Sequence, residues 1–234
     1  MANDLEKQLL TAAEAQGRAE LADWRVLRHY LHATFRTGAM TRGIAFVERI
    51  GAAAEELNHH PDVDLRYFRV HLKLTTHSAH ALTEADAVLA QEISRIAADM
   101  GLTAEPAAPT DLEIAVDALD IPAVQPFWRA VLGYRPVVGP GEDPAEATDL
   151  EDAAARGPAV WFQQMDAARP QRNRIHVDVN VPHDQAQARI DAALSAGGHL
   201  VSDAHAPAFW VLADAEGNEA CVCTWQGREQ SVAP

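Results

Sequence analysis

The sequence predicts a two-domain α+β protein, and three observations support this fold class. The chain has 234 residues, which suits two domains of ordinary size. A segment over residues 101–110 (GLTAEPAAPT) carries two prolines, which argue against a continuous helix through it. On both sides of this segment, stretches with the helical period alternate with stretches of the strand period. We therefore predict a first domain over residues 1–100, a linker over 101–110 and a second domain over 111–228.

The first domain reads as alternating helices and strands. In chain order we predict a helix over 4–16, strands with a turn over 24–35, a helix over 39–57, a strand over 67–76 and a helix beginning at Thr83. Apolar residues at helical spacing between Ile44 and Leu57 indicate the second helix. The sequence Asn58-His59-His60-Pro61 ends it, because the residue before a proline is pushed out of the α region. Thr83 and Asp86 have the spacing of a capping box, which predicts the start of the last helix.

The second domain shows one order of elements twice. The predicted elements are strands over 112–116 and 175–181, helices over 122–132 and 184–195, and short strands over 134–138, 159–164, 208–213 and 220–225. Each helix is followed by glycine, at Gly133 and at Gly197-Gly198, as expected for a helix C-terminus. This weak internal repeat predicts two related strand–helix–strand modules.

The composition narrows the class of protein. Hydrophobic residues make up 48% and charged residues 23%, which is ordinary for a globular chain. A net charge of −15 repels phosphate backbones, so we expect no nucleic-acid partner. No apolar run reaches the length of a membrane span, and residues 1–7 lack the layout of a signal peptide. With only two cysteines, Cys221 and Cys223, we expect a cytoplasmic protein without disulfides.

Three histidines of the first domain are candidates for acid–base chemistry. His59 and His60 follow a helix and His77 follows a strand, and a helix end and a strand end can converge at one cleft. Imidazole titrates near neutral pH, so it can both accept and donate a proton there. Three imidazoles could also bind a metal, but adjacent histidines usually point apart. The residues alone leave a plainer alternative open, in which His-His-Pro only stops the helix.

Residues 18–100 resemble the pterin-4a-carbinolamine dehydratase family. The family signature is Glu, three residues, His-His-Pro, five or six residues, an aromatic residue, nine residues, His, and then Asp. The matching residues here are Glu55, His59, His60, Pro61, Tyr67, His77 and Asp86, with Trp24 at the start of the first strand. The resemblance implies an antiparallel sheet with helices packed on one face. It also implies a homo-oligomer (dimer or tetramer), no cofactor and no metal.

The resemblance further implies a substrate and a mechanism. The substrate is a tetrahydropterin with a hydroxyl group at C4a. Water leaves from C4a while the N5 proton is removed, which yields a quinonoid dihydropterin. His60 is the implied base, and His59 and His77 are the implied acids.

Other residues receive roles from the same resemblance. The implied substrate-binding residues are Glu55, Pro61, Tyr67, Thr76 and Ser78. Glu55 would orient a histidine or the pterin, and for Tyr67 core packing stays equally open. We expect Asp86 to cap the last helix and Trp24 to lie in the core.

The loop after His77 departs from the family pattern. Many relatives carry Asp after this histidine and a Gly-Gly pair before Leu-Thr, whereas this chain reads Ser78-Ala79-His80-Ala81 there. The departure bears on pterin specificity more than on acid–base capacity. We expect His80, an additional imidazole, to be a solvent-exposed loop residue.

Residues 111–226 resemble the vicinal-oxygen-chelate superfamily, which includes glyoxalases and bleomycin-resistance-like proteins. The resemblance rests on the repeat, on Phe127-Trp128 followed by Leu132-Gly133, and on the sequence DAEGN at residues 214–218. It implies paired βαβββ modules. These motifs identify a fold and not a reaction.

Enzymes of that superfamily usually hold a divalent metal with residues from four strands. The matching positions here are Glu113, Gln163, His176 and Cys221, and the cysteine breaks the usual set. We therefore favour a metal-free cup that binds an unknown small ligand over a metalloenzyme. Four aromatic residues could line such a cup, although aromatic core is the default expectation: Trp161, Phe162, Phe209 and Trp210.

Three functions follow from these readings. The leading one is a hydro-lyase that dehydrates the pterin in the first domain, with a ligand-binding second domain. The second is a non-enzymatic binding protein or dimerisation cofactor. The third is a metal-dependent lyase or dioxygenase centred on the second domain.

Overall fold

A computed structural model describes residues 2–138, 143–168, 175 and 177–227. The chain divides into two compact units, Met1–Asp111 and Leu112–Pro234. Both units mix helices with β-sheets, so the predicted α+β class is confirmed. Among the residues described here, no helix is both long and apolar enough to cross a membrane.

The first unit is built on one antiparallel sheet. Its elements are α1 (Ala2–Leu5), α2 (Ala12–Gln16), β1 (Arg25–Leu27), β2 (Tyr30–Arg36), α3 (Met40–Leu57), β3 (Asp62–Arg66), β4 (Arg69–Leu74), α4 (Glu84–Asp99) and β5 (Thr103–Ala104). The strand order is β1-β2-β4-β3, and β5 pairs with β2. All of these pairings are antiparallel, as the family resemblance implied.

Side-chain alternation places the core of the first unit on one face of the sheet. In β4 the burial alternates along the strand, with Val70, Leu72 and Leu74 buried. These residues belong to the same buried cluster as Phe46 of α3 and Leu89 of α4. Trp24 is fully buried in this cluster, as predicted. The helices α3 and α4 therefore cover one face of the sheet.

Three details of the first unit differ from the sequence prediction. The helix expected over 4–16 is broken, because Thr11 and Glu14 form a capping box that starts a separate helix, α2. Ile44 is 54% exposed, since α3 turns Phe46 toward the core instead. The segment predicted as linker contains β5, so residues 103 and 104 belong to the sheet.

The second unit contains two four-stranded sheets of matching topology. Its elements are β6 (Glu113–Ala118), α5 (Ile121–Leu132), β7 (Arg135–Pro136), β8 (Asp149–Glu151), β9 (Ala159–Gln164), β10 (Val177–Asn180), α6 (Ala186–Ser195), β11 (His199–Ser202), β12 (Phe209–Ala213) and β13 (Glu219–Cys223). The strand orders are β6-β9-β8-β7 and β10-β13-β12-β11. The first strand of each module pairs in parallel with its last strand. The predicted internal repeat is therefore two copies of one βαβββ module.

Two sequence signals of the second unit have clear structural causes. Gly133 ends α5 with φ of 73°, a left-handed conformation that favours glycine. In the DAEGN segment, the buried Asp214 carboxylate accepts hydrogen bonds from the Glu216 and Asn218 amides. It also accepts one from the indole Nε1 of Trp128 at 2.9 Å. The loop thus ties the last hairpin to α5.

Candidate functional site

The candidate site of the first unit forms where the end of α3 meets the end of β4. β3 starts two residues after His60, and its first residue, Asp62, pairs with Lys73 near the end of β4. His77 follows β4 by three residues. The antiparallel register therefore brings the segment with the two adjacent histidines and the segment with His77 to one edge of the sheet.

His59 is held by its backbone and by its side chain. Asn58 ends α3 in the left-handed conformation, with φ of 49°, and the His59 amide then donates to the Ala54 carbonyl at 3.0 Å. The residue is only 6% exposed. Its Nε2 lies 2.8 Å from Oδ1 of Asp86. The His59 imidazole therefore points into the protein.

Asp86 joins the two histidine-bearing segments through one buried carboxylate. Its Oδ2 accepts hydrogen bonds from the Thr76 hydroxyl and the Thr83 amide, both at 2.8 Å. The Thr76 and Thr83 hydroxyls lie 2.6 Å apart. Asp86 is 0% exposed, so these hydrogen bonds replace those that the carboxyl group would otherwise make with water. The predicted helix cap is confirmed, and the same side chain also binds His59.

A second carboxylate, that of Glu6, approaches the other nitrogen of His59. The Nδ1 to Oε1 distance is 3.9 Å, which is too long for a hydrogen bond. Residues 8–10 bond to residues 82–84 through two backbone hydrogen bonds of 2.8 and 2.9 Å, and this pairing brings Glu6 to the site. Glu6 lies outside the signature, so the sequence offered no signal for it.

His60 has a different environment from its neighbour. The His60 side chain is 55% exposed and that of Glu55 is 80% exposed. Nε2 of His60 lies 3.3 Å from Oε1 of Glu55, one helical turn earlier. Pro61 is half-buried and leads the chain into β3. Glu55 thus lies where it can orient the His60 ring.

His77 opens a tight turn at the end of the strand segment. The turn is closed by a hydrogen bond from the His80 amide to the His77 carbonyl at 3.3 Å. His77 and Ser78 are both exposed on this turn. Thr76, one residue earlier, is 2% exposed, and its hydroxyl is bound to Asp86. Thr76 therefore supports the turn from inside, although we expected it to contact substrate.

Tyr67 lies far from this turn. It occupies the β3–β4 hairpin with φ of 52° and is 72% exposed, so the core-packing alternative is wrong. β4 has 6 residues and spans roughly 16 Å at about 3.3 Å per residue. Tyr67 and His77 stand at opposite ends of this strand. The structure therefore does not bring Tyr67 to the same small substrate as His77 within one chain.

Each of the two histidine-bearing segments contains one left-handed backbone conformation. Five non-glycine residues among those described have a left-handed φ: Arg28, Asn58, Tyr67, His80 and Ala155. Such a conformation costs a residue with a Cβ roughly 1–2 kcal/mol. Asn58 directly precedes His59, and His80 closes the turn that His77 opens.

The proposed metal positions of the second unit do not come together. Glu113 pairs with Ala159, whereas Gln163 pairs with Asp117, four residues further along the strands. That offset separates them by roughly 13 Å, too far to share one ion. His176 lies outside the described residues. Among the residues that the structure does describe, no group of three or more His, Cys, Asp or Glu side chains could hold a metal ion.

The two cysteines are buried thiols. Cys221 lies opposite Asp178 in the parallel β10–β13 pair. Burial, together with the nearby Asp178 carboxylate, raises the pKa of the Cys221 thiol to about 12. The thiol is therefore protonated at neutral pH, which makes it a poor ligand and a poor nucleophile there. This agrees with the expectation that both cysteines act as small packing residues.

A cavity of about 780 Å³ opens in the second unit. Its walls come from β6, α5, the start of β10 and the start of β13. The lining residues are Ile114, Ala115, Val116, Asp117, Trp128, Ile175, Val177, Asn218 and Glu219. Among described residues, the lining includes none of the four aromatic side chains that we expected there, and Phe162 is buried in the core instead.

Comparison with known families supports both resemblances. The sequence pattern of the family described as pterin 4 alpha carbinolamine dehydratase matches residues 8–96. That of the family described as glyoxalase-like domain matches residues 113–223. The two matches fall in the two compact units, and both resemblances inferred from the sequence are confirmed.

Curated relatives match part of this chain. A Chloroflexus aurantiacus protein provisionally named pterin-4-alpha-carbinolamine dehydratase is 43% identical over 89 residues, which cover 38% of this chain and 96% of that protein. A protein of the same provisional name from Herpetosiphon aurantiacus is 41% identical over 88 residues, which cover 38% of this chain and 92% of that protein. Nearly the whole length of each relative is thus represented here.

Two solved structures are also similar to part of this chain. A transcriptional coactivator/pterin dehydratase from Brucella melitensis is 28% identical and covers 38% of this chain and 99% of its own, with a TM-score of 0.36. A glyoxalase-related enzyme from Fulvimarina pelagi is 17% identical and covers 50% of this chain and 88% of its own, with a TM-score of 0.39.

Proposed function

Because the chain belongs to the pterin-4-alpha-carbinolamine dehydratase family, we propose that its first unit dehydrates a 4a-hydroxytetrahydropterin. The reaction class is a hydro-lyase. The product is a quinonoid dihydropterin and water. The observation that carries the proposal is the buried Asp86 carboxylate, which holds the segments of both exposed histidines.

The Asp86 contacts determine where the two exposed imidazoles emerge. Asp86 binds His59, and the next residue in the chain is His60. It also binds Thr76, and the next residue in the chain is His77. His60 and His77 thus each directly follow a residue whose side chain is bound to the buried Asp86. This arrangement supports a pair of proton-transfer groups at one edge of the sheet.

The proposed chemistry assigns one proton to each exposed histidine. His60 removes the proton from N5 of the pterin, and Glu55 at 3.3 Å orients its ring. The C4a–O bond breaks as His77 donates a proton to the leaving hydroxyl, and a C4a=N5 double bond forms. Both histidines are exposed, so exchange with solvent restores their protonation states.

His59 receives a different role from the one that the family resemblance implied. Its imidazole is buried, and both ring nitrogens face carboxylates, Asp86 at 2.8 Å and Glu6 at 3.9 Å. We propose that it positions the His60 segment and does not itself donate a proton to substrate.

The test is the loss of 4a-hydroxypterin absorbance with purified protein, compared with the rate in buffer. We expect acceleration by the wild-type protein. His60→Ala and His77→Ala should each slow turnover by about a hundredfold or more. His199→Ala is the matched control, because His199 is an exposed histidine of the second unit. A folded protein that gives no acceleration over buffer would disprove the proposed activity.

For the second unit we propose binding of a small, largely apolar molecule in the 780 Å³ cavity. The size and the apolar lining of the cavity support this proposal. Titration with the fluorescent probe 1-anilinonaphthalene-8-sulfonate tests it. Ala115→Phe, which would place a large ring in the cavity wall, should weaken the signal, whereas Leu200→Phe on the exposed surface should retain it. Equal signals from both variants would refute binding in this cavity.

The assembly state is also a proposal. Membership of the dehydratase family supports a homo-oligomer, as a dimer or a tetramer. Light scattering coupled to size-exclusion chromatography would measure it, and a monomer at micromolar concentration would contradict it.

A further inference from the structure

His80 has a backbone conformation that its side chain makes costly. Its φ is 48°, in the left-handed region, where the Cβ of any residue other than glycine crowds the following carbonyl. A glycine at this position would avoid that strain. The chain nevertheless carries an imidazole here, so the side chain needs a separate explanation.

The fold itself offers no such explanation. His80 is exposed, and among the described residues its imidazole takes part in no hydrogen bond, ion pair or ring contact. The turn is closed by backbone alone, through the His80 amide to the His77 carbonyl at 3.3 Å and the Thr76 amide to the Ala81 carbonyl at 3.1 Å. Removing the imidazole would leave these contacts intact. The side chain is therefore available to a molecule outside the protein.

The turn places His80 next to a candidate catalytic histidine. His77 and His80 are the first and fourth residues of the turn, so their Cα atoms lie within about 7 Å. The turn is held in place at its start, because the hydroxyl of Thr76, the residue before His77, binds the buried Asp86. His77 and His80 therefore present two exposed imidazoles at the two ends of one tight turn.

We propose that His80 is a specificity-determining residue that hydrogen-bonds a polar substituent at C6 of the tetrahydropterin. This inference rests on the proposed dehydratase function. In a tetrahydropterin, C6 is bonded directly to N5, the atom that loses its proton. His80 lies one tight turn from His77, which serves C4a, and C6 is only two bonds from C4a, so the His80 imidazole is placed to meet a substituent on C6. An imidazole can donate to or accept from a hydroxyl group of that substituent.

The experiment compares two substrates, generated in situ by an aromatic amino-acid hydroxylase. One carries a dihydroxypropyl group at C6 and the other carries only a methyl group. We expect His80→Gly and His80→Asn to lower kcat/KM for the dihydroxypropyl substrate by about tenfold, mainly through KM. The loss should be at least about fivefold smaller for the methyl substrate, which has no hydroxyl group to bind.

Melting temperatures separate this role from a structural one. His80→Gly removes the strain, so we expect its Tm to rise by about 2–4 °C while it binds the dihydroxypropyl substrate less well. Asparagine tolerates the left-handed conformation, but its amide is shorter than the imidazole, so His80→Asn tests whether the hydrogen bond needs the reach of the ring. Ala155→Gly is the matched control, because Ala155 has φ of 51° in the second unit and should show strain relief without a kinetic effect.

The outcomes distinguish this inference from the function on which it rests. Wild-type turnover of both substrates with equal losses, or no losses, in the His80 variants would overturn the role of His80 alone. No wild-type turnover of either substrate would overturn the proposed function and this inference with it. A kcat/KM loss confined to the dihydroxypropyl substrate would support both.

Discussion

Single residues of the first unit carry more than one task, and Asp86 is the clearest case. Its carboxylate caps α4, binds the His59 ring and binds the Thr76 hydroxyl. The capping role follows from sequence spacing, whereas the two side-chain contacts depend on how α3 and β4 approach α4. The contact of Glu6 with His59 also depends on tertiary structure, because Glu6 reaches His59 only through the pairing of the N-terminal segment with residues 82–84.

We expect Asp86→Asn to destabilise the first unit by about 2–4 kcal/mol, because an amide nitrogen would replace a buried acceptor that faces several donors. Urea unfolding measures this loss, and pterin turnover should fall with it. The control is Asp99→Asn on the same helix, whose side chain is 48% exposed. A change of more than about 0.5 kcal/mol in the control would weaken the comparison.

We expect the unfolding free energy of the first unit to depend on pH because of His32. Burial, and next the Lys73 ammonium, lower the pKa of His32 from 6.5 to about 4, against a smaller opposing effect of Asp111. Its buried Nε2 has no hydrogen-bond partner among the described residues. Between pH 6.5 and pH 4 the unfolded chain therefore binds more protons than the folded chain. This contribution to stability is complete above pH 6.5 and is lost as the pH falls toward 4.

His32→Gln should remove this part of the acid sensitivity. Between pH 7.5 and pH 5, we expect the variant to lose on the order of 1 kcal/mol less unfolding free energy than the wild type, after discounting for solvent screening of a half-buried ring. Urea unfolding at the two pH values measures the difference. Parallel losses in the two proteins would show that His32 does not titrate in this way.

At the scale of elements, caps and register decide how well each helix and strand could be predicted. The long helices α3 and α4 follow from apolar spacing and from the stop and start signals at their ends. β3 was missed because it is short and contains two aspartates, which are depleted in strands. Yet its register with β4 is what aligns the two histidine segments.

The two capping boxes should differ in their effect on stability. Thr83 is fully buried, caps a helix of 16 residues and bonds to the Asp86 network, so Thr83→Ala should cost about 1–3 kcal/mol. Thr11 is exposed and caps a helix of 5 residues, so Thr11→Ala should cost clearly less. Thermal unfolding of both variants tests this order, and a larger loss in Thr11→Ala would reverse our assignment.

At the scale of the whole molecule, the chain joins two units that each have their own core. The contact boundary lies between Asp111 and Leu112, after the segment that we predicted as linker. Part of that segment is folded: β5 pairs with β2, and the Glu105 carboxylate bonds to Arg36 at 2.7 Å and to Arg69 at 2.6 Å. The first unit is therefore longer than the helical pattern indicated.

A pair of truncated chains tests this boundary. Residues 1–111 should unfold cooperatively, since they form one compact unit with its own buried core. Residues 1–100 lack β5 and the Glu105 bridge, so we expect a loss of at least about 1 kcal/mol relative to 1–111. Equal stability of both fragments would place the boundary at residue 100, as first predicted.

The sequence by itself determined the fold class, the repeat in the second unit and the histidine signature, because each of these depends on local spacing along the chain. Tertiary structure alone decided which signature residues meet. It buried His59 on Asp86, left His60 and His77 exposed, moved Tyr67 to the far end of β4, and separated Glu113 from Gln163. The physical reason is that strand register and helix packing join residues distant in the chain, and local patterns do not encode those distances.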